Sequence, residues 1–390
     1  MTTPHWDGIA VVPPGLEEPA AAELTGLGCG GVQRLSRAVR FRTDPAGFYR
    51  LQLQARLPFR LLRQLASFPC RSQADLYAGV QAAADWSHWL PPQCSFKVEA
   101  SGSAPGLSHS HYTALAVKNA LVDWQRSHFG ERSSIELEQP DLALHLHLGG
   151  GMASLSLDGS GASLHRRGYR PAMGLAPLKE NLAAGLIALS GWDGSVPLAD
   201  PLCGSGTLLI EAVRLVLGRA PGLGAGPGAP ARSFALARWP DFDAQLWQQE
   251  LAAARALARD TLADGRPLAP VLGMEREAEV LEQARSNASA AGVGPWIALQ
   301  QGDCRDFQPP PVAGVLVCNP PYGARIGQRE ELEVLYSDLG RMLKERCGGW
   351  SLWLLSGNPE LTGALRMKAS RRIPVSNGGI DCRWLHYAIR

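Results

Sequence analysis

The stretch Val315-Leu316-Val317-Cys318-Asn319-Pro320-Pro321-Tyr322-Gly323 decides how the C-terminal half of the chain folds. Its first four residues form a short apolar run with β-branched members, which is typical of a buried strand. The two prolines that follow lack a backbone N–H, so they cannot continue a hydrogen-bonded ladder. The sequence therefore predicts a stiff tip, with an amide and an aromatic ring, at the carboxyl end of a strand. Open α/β sheets bind their ligands at that end.

The tip carries the residue types that can activate a planar amino group. The Asn319 side-chain oxygen and the Pro320 carbonyl could accept the two hydrogen bonds of such a group. Its delocalised lone pair would then be free to attack an electrophile. Tyr322 could stack on the attached base, a contact worth about 1–3 kcal/mol in single-stranded recognition. The alternative interpretation is an ordinary proline-rich surface turn.

A glycine-rich turn follows a strand predicted at residues 196–200 and precedes a predicted helix. It runs Pro201-Leu202-Cys203-Gly204-Ser205-Gly206-Thr207. Such a turn lets a ligand approach the backbone and the N–H groups of the helix. Position 209 is Leu, where the dinucleotide fingerprint has its third glycine, and no P-loop sequence occurs. These departures weaken the case for a nicotinamide-dependent oxidoreductase and for P-loop chemistry.

Acidic residues follow two further strand patterns. Glu275 ends a strand predicted at residues 271–275, where an acid takes ribose hydroxyls in nucleoside-binding βαβ units. Asp303 follows a strand predicted at residues 297–300, where its carboxylate could accept an adenine amino hydrogen. The carboxyl ends of parallel strands meet at one edge of a sheet, so these groups are expected to lie together.

The order of the predicted elements indicates an α/β protein with a doubly wound, mainly parallel sheet in its C-terminal half. A closing hairpin is expected to turn at Asn377-Gly378-Gly379, and a mobile loop is expected over residues 219–232. The first 160 residues predict an α+β region, including one strand across residues 32–42. The expected domains are residues 1–55, 56–160 and 161–390.

Composition excludes several classes of protein. The chain has 390 residues, of which 45% are hydrophobic and 19% charged, as in soluble globular proteins. No apolar run reaches the length of a membrane span, and the N-terminus lacks a signal-peptide pattern. The eight cysteines are scattered without a CxxC pair, which favours reduced thiols in the cytoplasm. The pairs His109/His111 and His145/His147 lack further ligands, so no metal is expected.

Two basic segments are candidates for contact with a nucleic acid. The eight arginines between Arg34 and Arg63 indicate a phosphate footprint, or merely a chain that uses Arg as its usual cation. The segment between the two halves carries a second set of candidates. It is either a grip on a phosphate backbone or a solvated hinge, and its residues are His165, Arg166, Arg167, Tyr169 and Arg170.

The groups at the strand ends resemble class I S-adenosylmethionine-dependent methyltransferases, and the Asn-Pro-Pro-Tyr tip marks those that methylate exocyclic amines. The likeness extends to the bacterial THUMP-domain RNA guanine-N2-methyltransferases that act on large-subunit ribosomal RNA. Residues 1–160 are similar to the ferredoxin-like and THUMP regions of that family, so the resemblance covers essentially the whole chain. It is carried by Leu164–Arg170, Ala176-Pro177-Leu178-Lys179-Glu180-Asn181-Leu182, Asp200–Glu211, Arg219-Ala220-Pro221-Gly222, Trp239-Pro240-Asp241-Phe242-Asp243 and Asn377-Gly378-Gly379-Ile380-Asp381-Cys382.

The resemblance implies a cofactor, a partner and roles for named residues. The cofactor is S-adenosylmethionine, and the partner is RNA, ribosomal RNA first and tRNA second. Some members carry a second methyltransferase at the C-terminus; this chain ends without one, so a single methylation is expected. Asn319, Pro320, Pro321 and Tyr322 would hold a flipped guanine. The cofactor would be lined by Asn181, Asp200, Leu202, Cys203, Gly204, Ser205, Gly206, Thr207, Glu275, Arg276, Asp303, Cys304 and Asn319.

Three alternatives remain open from the sequence. Guanine and adenine both present an amine, so the tip also fits an adenine-N6 methyltransferase acting on DNA. A tRNA-directed guanine-N2-methyltransferase would need the same residues. A non-catalytic RNA-binding ribosome assembly factor with a vestigial pocket is the alternative of another class, and cofactor binding distinguishes it.

Overall fold

The computed structural model of the chain describes residues 5–170, 178–226, 229–322 and 329–390. Each half of the described chain is organised around a seven-stranded sheet. Among the residues singled out in the sequence, Pro171, Ala176, Pro177 and Gly323 lie outside the described ranges. None of the described helices is both long and apolar enough to cross a lipid bilayer.

The N-terminal sheet has the strand order β2-β3-β1-β4-β7-β6-β5, and its neighbours are antiparallel except for the parallel pair β5 and β6. Its strands are β1 (Trp6–Val11), β2 (Gly30–Leu35), β3 (Ala38–Thr43), β4 (Arg60–Pro69), β5 (Phe96–Gly102), β6 (Leu142–Gly149) and β7 (Met152–Asp158). Its helices are α1 (Glu17–Gly26), α2 (Pro45–Gln54), α3 (Gln73–Ala82), α4 (Trp86–Trp89) and α5 (Ser110–Phe129).

Strand β4 joins the first two expected domains into one sheet. It pairs with β1 through residues 60–63 and with β7 through residues 62–69. The sequence did not indicate this strand, because Arg60 and Arg63 interrupt its apolar run and belong to the segment that indicated a phosphate footprint. The single strand expected across residues 32–42 is wrong as well: it is the hairpin of β2 and β3. The turn of that hairpin contains Arg37 with φ of 59°, a conformation that residues other than glycine rarely adopt.

The C-terminal sheet has the order β10-β9-β8-β11-β12-β14-β13. Five adjacent strands are parallel, while β14 runs antiparallel to β12 and to β13. The strands are β8 (Leu198–Asp200), β9 (Val271–Glu275), β10 (Ile297–Gln301), β11 (Val315–Cys318), β12 (Ser351–Ser356), β13 (Arg371–Asn377) and β14 (Ile380–Ala388). The helices are α6 (Glu180–Ser190), α7 (Thr207–Val216), α8 (Ala244–Ala256), α9 (Ala278–Ala290), α10 (Arg329–Arg346) and α11 (Pro359–Ala364).

Helices cover both faces of this sheet, as the near-continuous apolar strands require. Along β11, Val317 packs in one hydrophobic cluster with α6 and α7, whereas Leu316 and Cys318 pack in a second cluster with α10. The doubly wound, mainly parallel α/β fold expected from the sequence is confirmed, and so is the hairpin at residues 377–380. The strand order reverses between β8 and β11, which makes their carboxyl ends the expected ligand site.

The two halves are packed tightly against each other through the segment that follows α7. Pro221 and Gly222 are buried, and the Arg214 guanidinium donates to the Ala225 carbonyl at 2.9 Å. The loop expected to be mobile is therefore packed over residues 219–226. A Cβ added to Gly222 would lie 2.7 Å from the Cα of Leu53 in α2.

Three arginines of the first basic segment, Arg50, Arg56 and Arg63, are engaged by other protein groups. The Arg50 guanidinium donates to both carboxylate oxygens of Glu250 at 3.1 and 2.9 Å, and the Arg56 guanidinium donates to two carbonyl oxygens of the other half. Arg63 lies over the Trp6 ring and pairs with Asp241. Since protein groups occupy these three side chains, they are not free to bind phosphate. Arg34, Arg37, Arg40 and Arg42 are exposed, so the phosphate footprint remains a prediction for these four.

The contact between Gly222 and α2 predicts a stability change. Gly222→Ala should lower the free energy of unfolding by about 1–3 kcal/mol, because a methyl group cannot enter the contact without moving backbone. Urea unfolding followed by tryptophan fluorescence measures the change. Gly363→Ala is the control, since a Cβ at Gly363 in α11 meets nothing within 4 Å. Equal effects of the two substitutions would contradict the prediction.

Candidate active site

A cavity of about 1050 Å³ opens at the carboxyl ends of the parallel strands. Four successive strand ends contribute to it, together with the segment before α6, the start of α6, one residue of α10 and the turn between β13 and β14. The described residues that line it are His165, Arg166, Gly168, Arg170, Lys179, Glu180, Pro201, Leu202, Gly204, Glu275, Arg276, Gly302, Asp303, Cys304, Asn319, Pro320, Pro321, Tyr322, Leu335, Asn377, Gly378 and Ile380.

The glycine turn after β8 presents backbone to this cavity. The buried Asp200 accepts a hydrogen bond from the Leu202 N–H at 3.0 Å and so shapes the turn. Gly204 has φ of 52°, and a Cβ at this position would meet nothing within 4 Å. The turn therefore leaves open space beside its backbone, as a cofactor cradle needs.

The Glu275 carboxylate is held in place by two backbone groups. One oxygen accepts from the Gly204 N–H at 3.1 Å and the other accepts from the Glu277 N–H at 2.9 Å. Each carboxylate oxygen retains a free lone pair after one such bond. Glu275 therefore faces the cavity in a fixed orientation and can still accept from hydroxyl groups.

Asp303 is an ionised acceptor at the end of β10. The Arg305 guanidinium donates to both of its oxygens at 2.8 Å. This pairing is the main reason that the pKa of Asp303 falls to about 2. At neutral pH the carboxylate is negatively charged and can accept a hydrogen from a ligand amino group.

Asn319 lines the cavity and holds one of the buried polar atoms that lack a hydrogen-bond partner among the described residues. Its side-chain oxygen is enclosed and accepts no hydrogen bond from the described residues. Leaving such a group buried and unsatisfied costs about 1–3 kcal/mol. An N–H donor brought by a ligand would satisfy it. Helix α10 supports the adjacent tip, because the Tyr336 hydroxyl donates to the Pro321 carbonyl at 3.4 Å.

The second basic segment divides into lining residues and buried residues. His165, Arg166 and Arg170 line the cavity. Arg167 and Tyr169 are 3% and 0% exposed. The Tyr169 hydroxyl donates to Glu211 at 3.0 Å, and Arg167 donates to the carbonyls of Leu164 and Arg56. The expectation that these two side chains grip RNA is wrong, since interior groups occupy their polar atoms.

The residues expected around the cofactor divide in the same way. Leu202, Gly204, Glu275, Arg276, Asp303, Cys304 and Asn319 line the cavity. Five others lie along the same stretch without lining the cavity: Asp200 at the end of β8, Cys203, Ser205 and Gly206 in the turn, and Thr207 at the start of α7. Asn181 is fully buried, and its amide donates to the Leu57 carbonyl at 3.0 Å. The expectation that Asn181 covers the cofactor is wrong, because its side chain joins α6 to the N-terminal half.

Sequence reasoning missed several lining residues. They include Lys179 and Glu180 at the start of α6, Gly302, Leu335 in α10, and the turn residues Asn377, Gly378 and Ile380. The Asn-Gly-Gly stretch carried part of the family resemblance but had no role assigned to it. The Asn-Gly-Gly motif is the one sequence signal that could have drawn attention to the three turn residues. Within the described ranges, no group of three His, Cys, Asp or Glu side chains could hold a metal ion.

The family assignment comes from residues 167–386, which match the RMKL-like methyltransferase domain. The chain belongs to this methyltransferase family. Residues 70–158 match the THUMP domain, and residues 7–62 match the RlmL ferredoxin-like domain. This order agrees with the two sheets and with the site at the carboxyl edge of the second.

Relatives extend the likeness over the whole chain. A protein of Synechocystis sp. that carries the provisional name RNA methyltransferase is 44% identical over 100% of this chain and 97% of its own length. The crystal structure of a provisionally named methyltransferase in complex with S-adenosylhomocysteine is 28% identical, with a TM-score of 0.85 over 100% and 99% of the two chains. A Listeria monocytogenes protein named a predicted N6-adenine-specific DNA methylase also has 28% identity and a TM-score of 0.85, over 99% and 97%.

This methyltransferase uses S-adenosylmethionine and acts on RNA, given its catalytic domain, its THUMP domain and the relative that binds the demethylated cofactor. The residues present fit that cofactor. The cavity has an open glycine turn, fixed carboxylates at two strand ends, and an unsatisfied amide oxygen at a third.

Asp200 predicts a pH-dependent stability difference in the cofactor-free protein. Burial is the main reason that its pKa is raised from 3.8 to about 8. A raised pKa contributes stability that is complete below the unfolded value and is lost as pH rises through the folded value. Asp200→Asn keeps the acceptor for the Leu202 N–H but does not ionise. The melting temperature of the variant minus that of the wild type should therefore increase as pH rises from about 4 to 8. A difference that stays constant across this range would contradict the raised pKa of Asp200.

Proposed function

We propose that this methyltransferase transfers a methyl group from S-adenosylmethionine to the exocyclic N2 of a guanosine in 23S ribosomal RNA. The observation that carries the proposal is the side-chain oxygen of Asn319, which accepts no hydrogen bond from the described residues; Asn319 lies at the tip of the central strand and lines the cavity. The Pro320 carbonyl, which follows directly, offers a second acceptor. Two acceptors at a rigid tip match the two N–H bonds of an exocyclic amine.

The bond changes balance with the groups present. As N2 donates its hydrogens to Asn319 and Pro320, its lone pair is less delocalised into the ring and attacks the methyl carbon. The carbon–sulfur bond breaks, and sulfur takes its electron pair and loses the positive charge. The amine now carries an extra proton, which leaves to solvent. Rate enhancement then comes mainly from positioning, which agrees with a tip stiffened by two prolines.

On the cofactor side, the strand-end residues have separate roles. Glu275 would accept the ribose hydroxyls, because both of its oxygens are fixed and each retains a lone pair. Asp303 would accept an adenine amino hydrogen, because its pKa of about 2 keeps it charged. Leu202 and Gly204 would supply the surface of the glycine turn on which the cofactor lies.

On the RNA side, cations at the mouth of the cavity would hold the phosphates of the flipped nucleotide. Arg166 is exposed there, and His165 and Lys179 also line the wall. Arg170 is not counted among these cations, because its side chain is 8% exposed and donates to the Leu178 carbonyl and the Thr207 hydroxyl. Burial, followed by the charges of Lys179 and Arg166, lowers the pKa of His165 to about 4. His165 is therefore neutral at pH 7, and a hydrogen bond to RNA would be its contribution. Extruding a base costs a few kcal/mol, less where the RNA is unpaired.

The name of the Listeria relative raises DNA adenine as the second candidate substrate. Asn319 and Pro320 would accept hydrogens from adenine N6 equally well. The THUMP domain and the Synechocystis relative favour RNA, and a tRNA guanosine would need the same tip. The cofactor cavity would have no function in an RNA-binding assembly factor that does not catalyse, which counts against that alternative.

The deciding experiment is to incubate the protein with labelled S-adenosylmethionine and total RNA from a strain that lacks it. The RNA is then fractionated and digested to nucleosides. Label in N2-methylguanosine of 23S ribosomal RNA is the expected result. Label only in tRNA, or only in the adenine of added DNA, would overturn the proposed substrate. Absence of any transfer, together with no calorimetric binding of the cofactor, would favour the assembly factor.

Asn319→Ala tests the amine clamp. Transfer should fall by at least about a hundredfold, because the acceptor that positions N2 is lost. Affinity for S-adenosylmethionine should stay within about tenfold, because one hydrogen bond contributes about 1 kcal/mol net. Asn119→Ala, on the exposed surface of α5, makes the same chemical change away from the cavity and should leave transfer unchanged. Normal turnover by the Asn319 variant would contradict the assignment of Asn319 as the acceptor that positions N2.

Arg166→Glu tests the phosphate contact. RNA should bind more weakly. The negative slope of log affinity against log salt should become shallower by about one, because one phosphate contact is lost. Filter binding of unmodified 23S RNA at several salt concentrations measures both quantities. Arg255→Glu, exposed on α8 and not among the lining residues, is the charge-matched control. Identical salt slopes for wild type and the Arg166 variant would count against the contact.

A further inference from the structure

The turn between β13 and β14 meets the Asn-Pro-Pro-Tyr tip inside the cavity. Asn377 and Ile380 are paired residues at the end of the hairpin, and both line the cavity together with Asn319. The Asn377 amide donates to the Tyr322 hydroxyl at 2.7 Å. This hydrogen bond joins two side chains that lie 55 positions apart in the chain. The proposed methyl transfer, as described above, assigns it no role.

The ring of Tyr322 is held at a second place by Gly357. A Cβ added to Gly357 would lie 3.1 and 3.2 Å from two ring carbons of Tyr322, and 3.0 Å from Ile380. The ring therefore packs so close to the Gly357 backbone that a Cβ there would push it away by a few tenths of an ångström. Burial is the main reason that the pKa of Tyr322 rises to about 12, so the hydroxyl stays protonated at neutral pH while it accepts from Asn377.

We infer that Asn377 is a positioning residue, which fixes the Tyr322 ring as the platform for the target base. The inference rests on the proposed function, because it takes an exocyclic base amine as the methyl acceptor. Pro320 and Pro321 stiffen the backbone of the tip, but they leave both side-chain torsions of Tyr322 free. The hydrogen bond from Asn377 and the packing on Gly357 remove that freedom.

The orientation of the platform matters because the base must bring its amine to Asn319 and to the methyl carbon at the same time. A displacement of about 1 Å at a reacting atom costs about a hundredfold in rate. A base that stacks on a tilted ring would still bind, since stacking tolerates many orientations. It would reach the methyl group less often. Loss of the bond should therefore lower kcat more than it lowers affinity for RNA.

The hairpin is itself held by the N-terminal half. The Ser376 N–H donates to the Pro14 carbonyl at 3.2 Å. Gly15 has φ of 90°, and a Cβ there would lie 2.1 Å from the Pro374 carbonyl oxygen. Residues that follow β1 therefore set the position of the turn that carries Asn377. The half that binds RNA and the platform for the base share this contact.

A double-mutant cycle tests the inference. Asn377→Ala and Tyr322→Phe remove the two ends of one hydrogen bond, so each should lower kcat about tenfold, and the double variant should also fall about tenfold. Affinity for S-adenosylmethionine by calorimetry, and for unmodified 23S RNA by filter binding, should stay within about twofold. Arg372→Ala, exposed on β13, is the control for a general disturbance of the hairpin and should match the wild type.

Several outcomes would overturn the positioning role. One is normal kcat for Asn377→Ala. Another is a double variant that falls about a hundredfold, since multiplied effects mean that the two residues act independently. A third is a loss of cofactor affinity as large as the loss of kcat. Should Asn377→Ala fail to fold, normal kcat for Tyr322→Phe would overturn the role by itself.

Failure of the proposed function gives a different result. If the wild type methylates adenine N6 or a tRNA guanosine, the proposed substrate is wrong, and the same cycle is measured on the substrate found. Non-additivity there would support the positioning role.

Discussion

Two consecutive prolines impose the constraint on which the site depends. Strand β11 pairs with β8 on one side and with β12 on the other, so its end lies in the middle of the sheet. Pro320 and Pro321 cannot donate to either neighbour, and the ladder ends at Cys318. Asn319 is left at that point with its side-chain oxygen enclosed and without a hydrogen-bond partner in the described part of the chain. The reversal of strand order beside it opens the cavity that the cofactor and a base can share.

Buried arginines join the RNA-binding half to this site. Arg56 donates to the carbonyls of Arg214 and Arg219, and Arg167 lies 3.9 Å from Glu211 with both side chains almost fully buried. A buried cation is tolerated only where acceptors surround it, so these contacts permit few arrangements of the two halves. Burial is the main reason that the pKa of Arg56 falls to about 10. Asn181 and the turn after β1 add uncharged contacts across the same boundary, so the N-terminal half and the sheet that carries the Asn-Pro-Pro-Tyr tip form one packed unit.

The sequence predicted those parts of the fold whose signals are local. Apolar runs indicated the strands of the second sheet, and Asn377-Gly378-Gly379 located the hairpin. The strand ends located Glu275, Asp303 and Asn319 at one edge. Errors arose where burial decides the role of a side chain. Local sequence does not distinguish Arg166, which faces the cavity, from Arg167, which lies in the interior. Strand β4 was missed for the same reason, because its arginines pair with groups distant in the chain.

By itself, the sequence determined the chemistry available to this protein: a glycine turn, two strand-end carboxylates and a rigid amide tip. Backbone preferences and the missing N–H of proline act within a few residues, so they can be inferred without coordinates. Only the tertiary structure decided which polar groups remain free for ligands and which are bound in the interior. It also brought Asn377 to Tyr322, and Pro14 and Gly15 to β13. Such contacts join segments that only the packing of both halves makes neighbours.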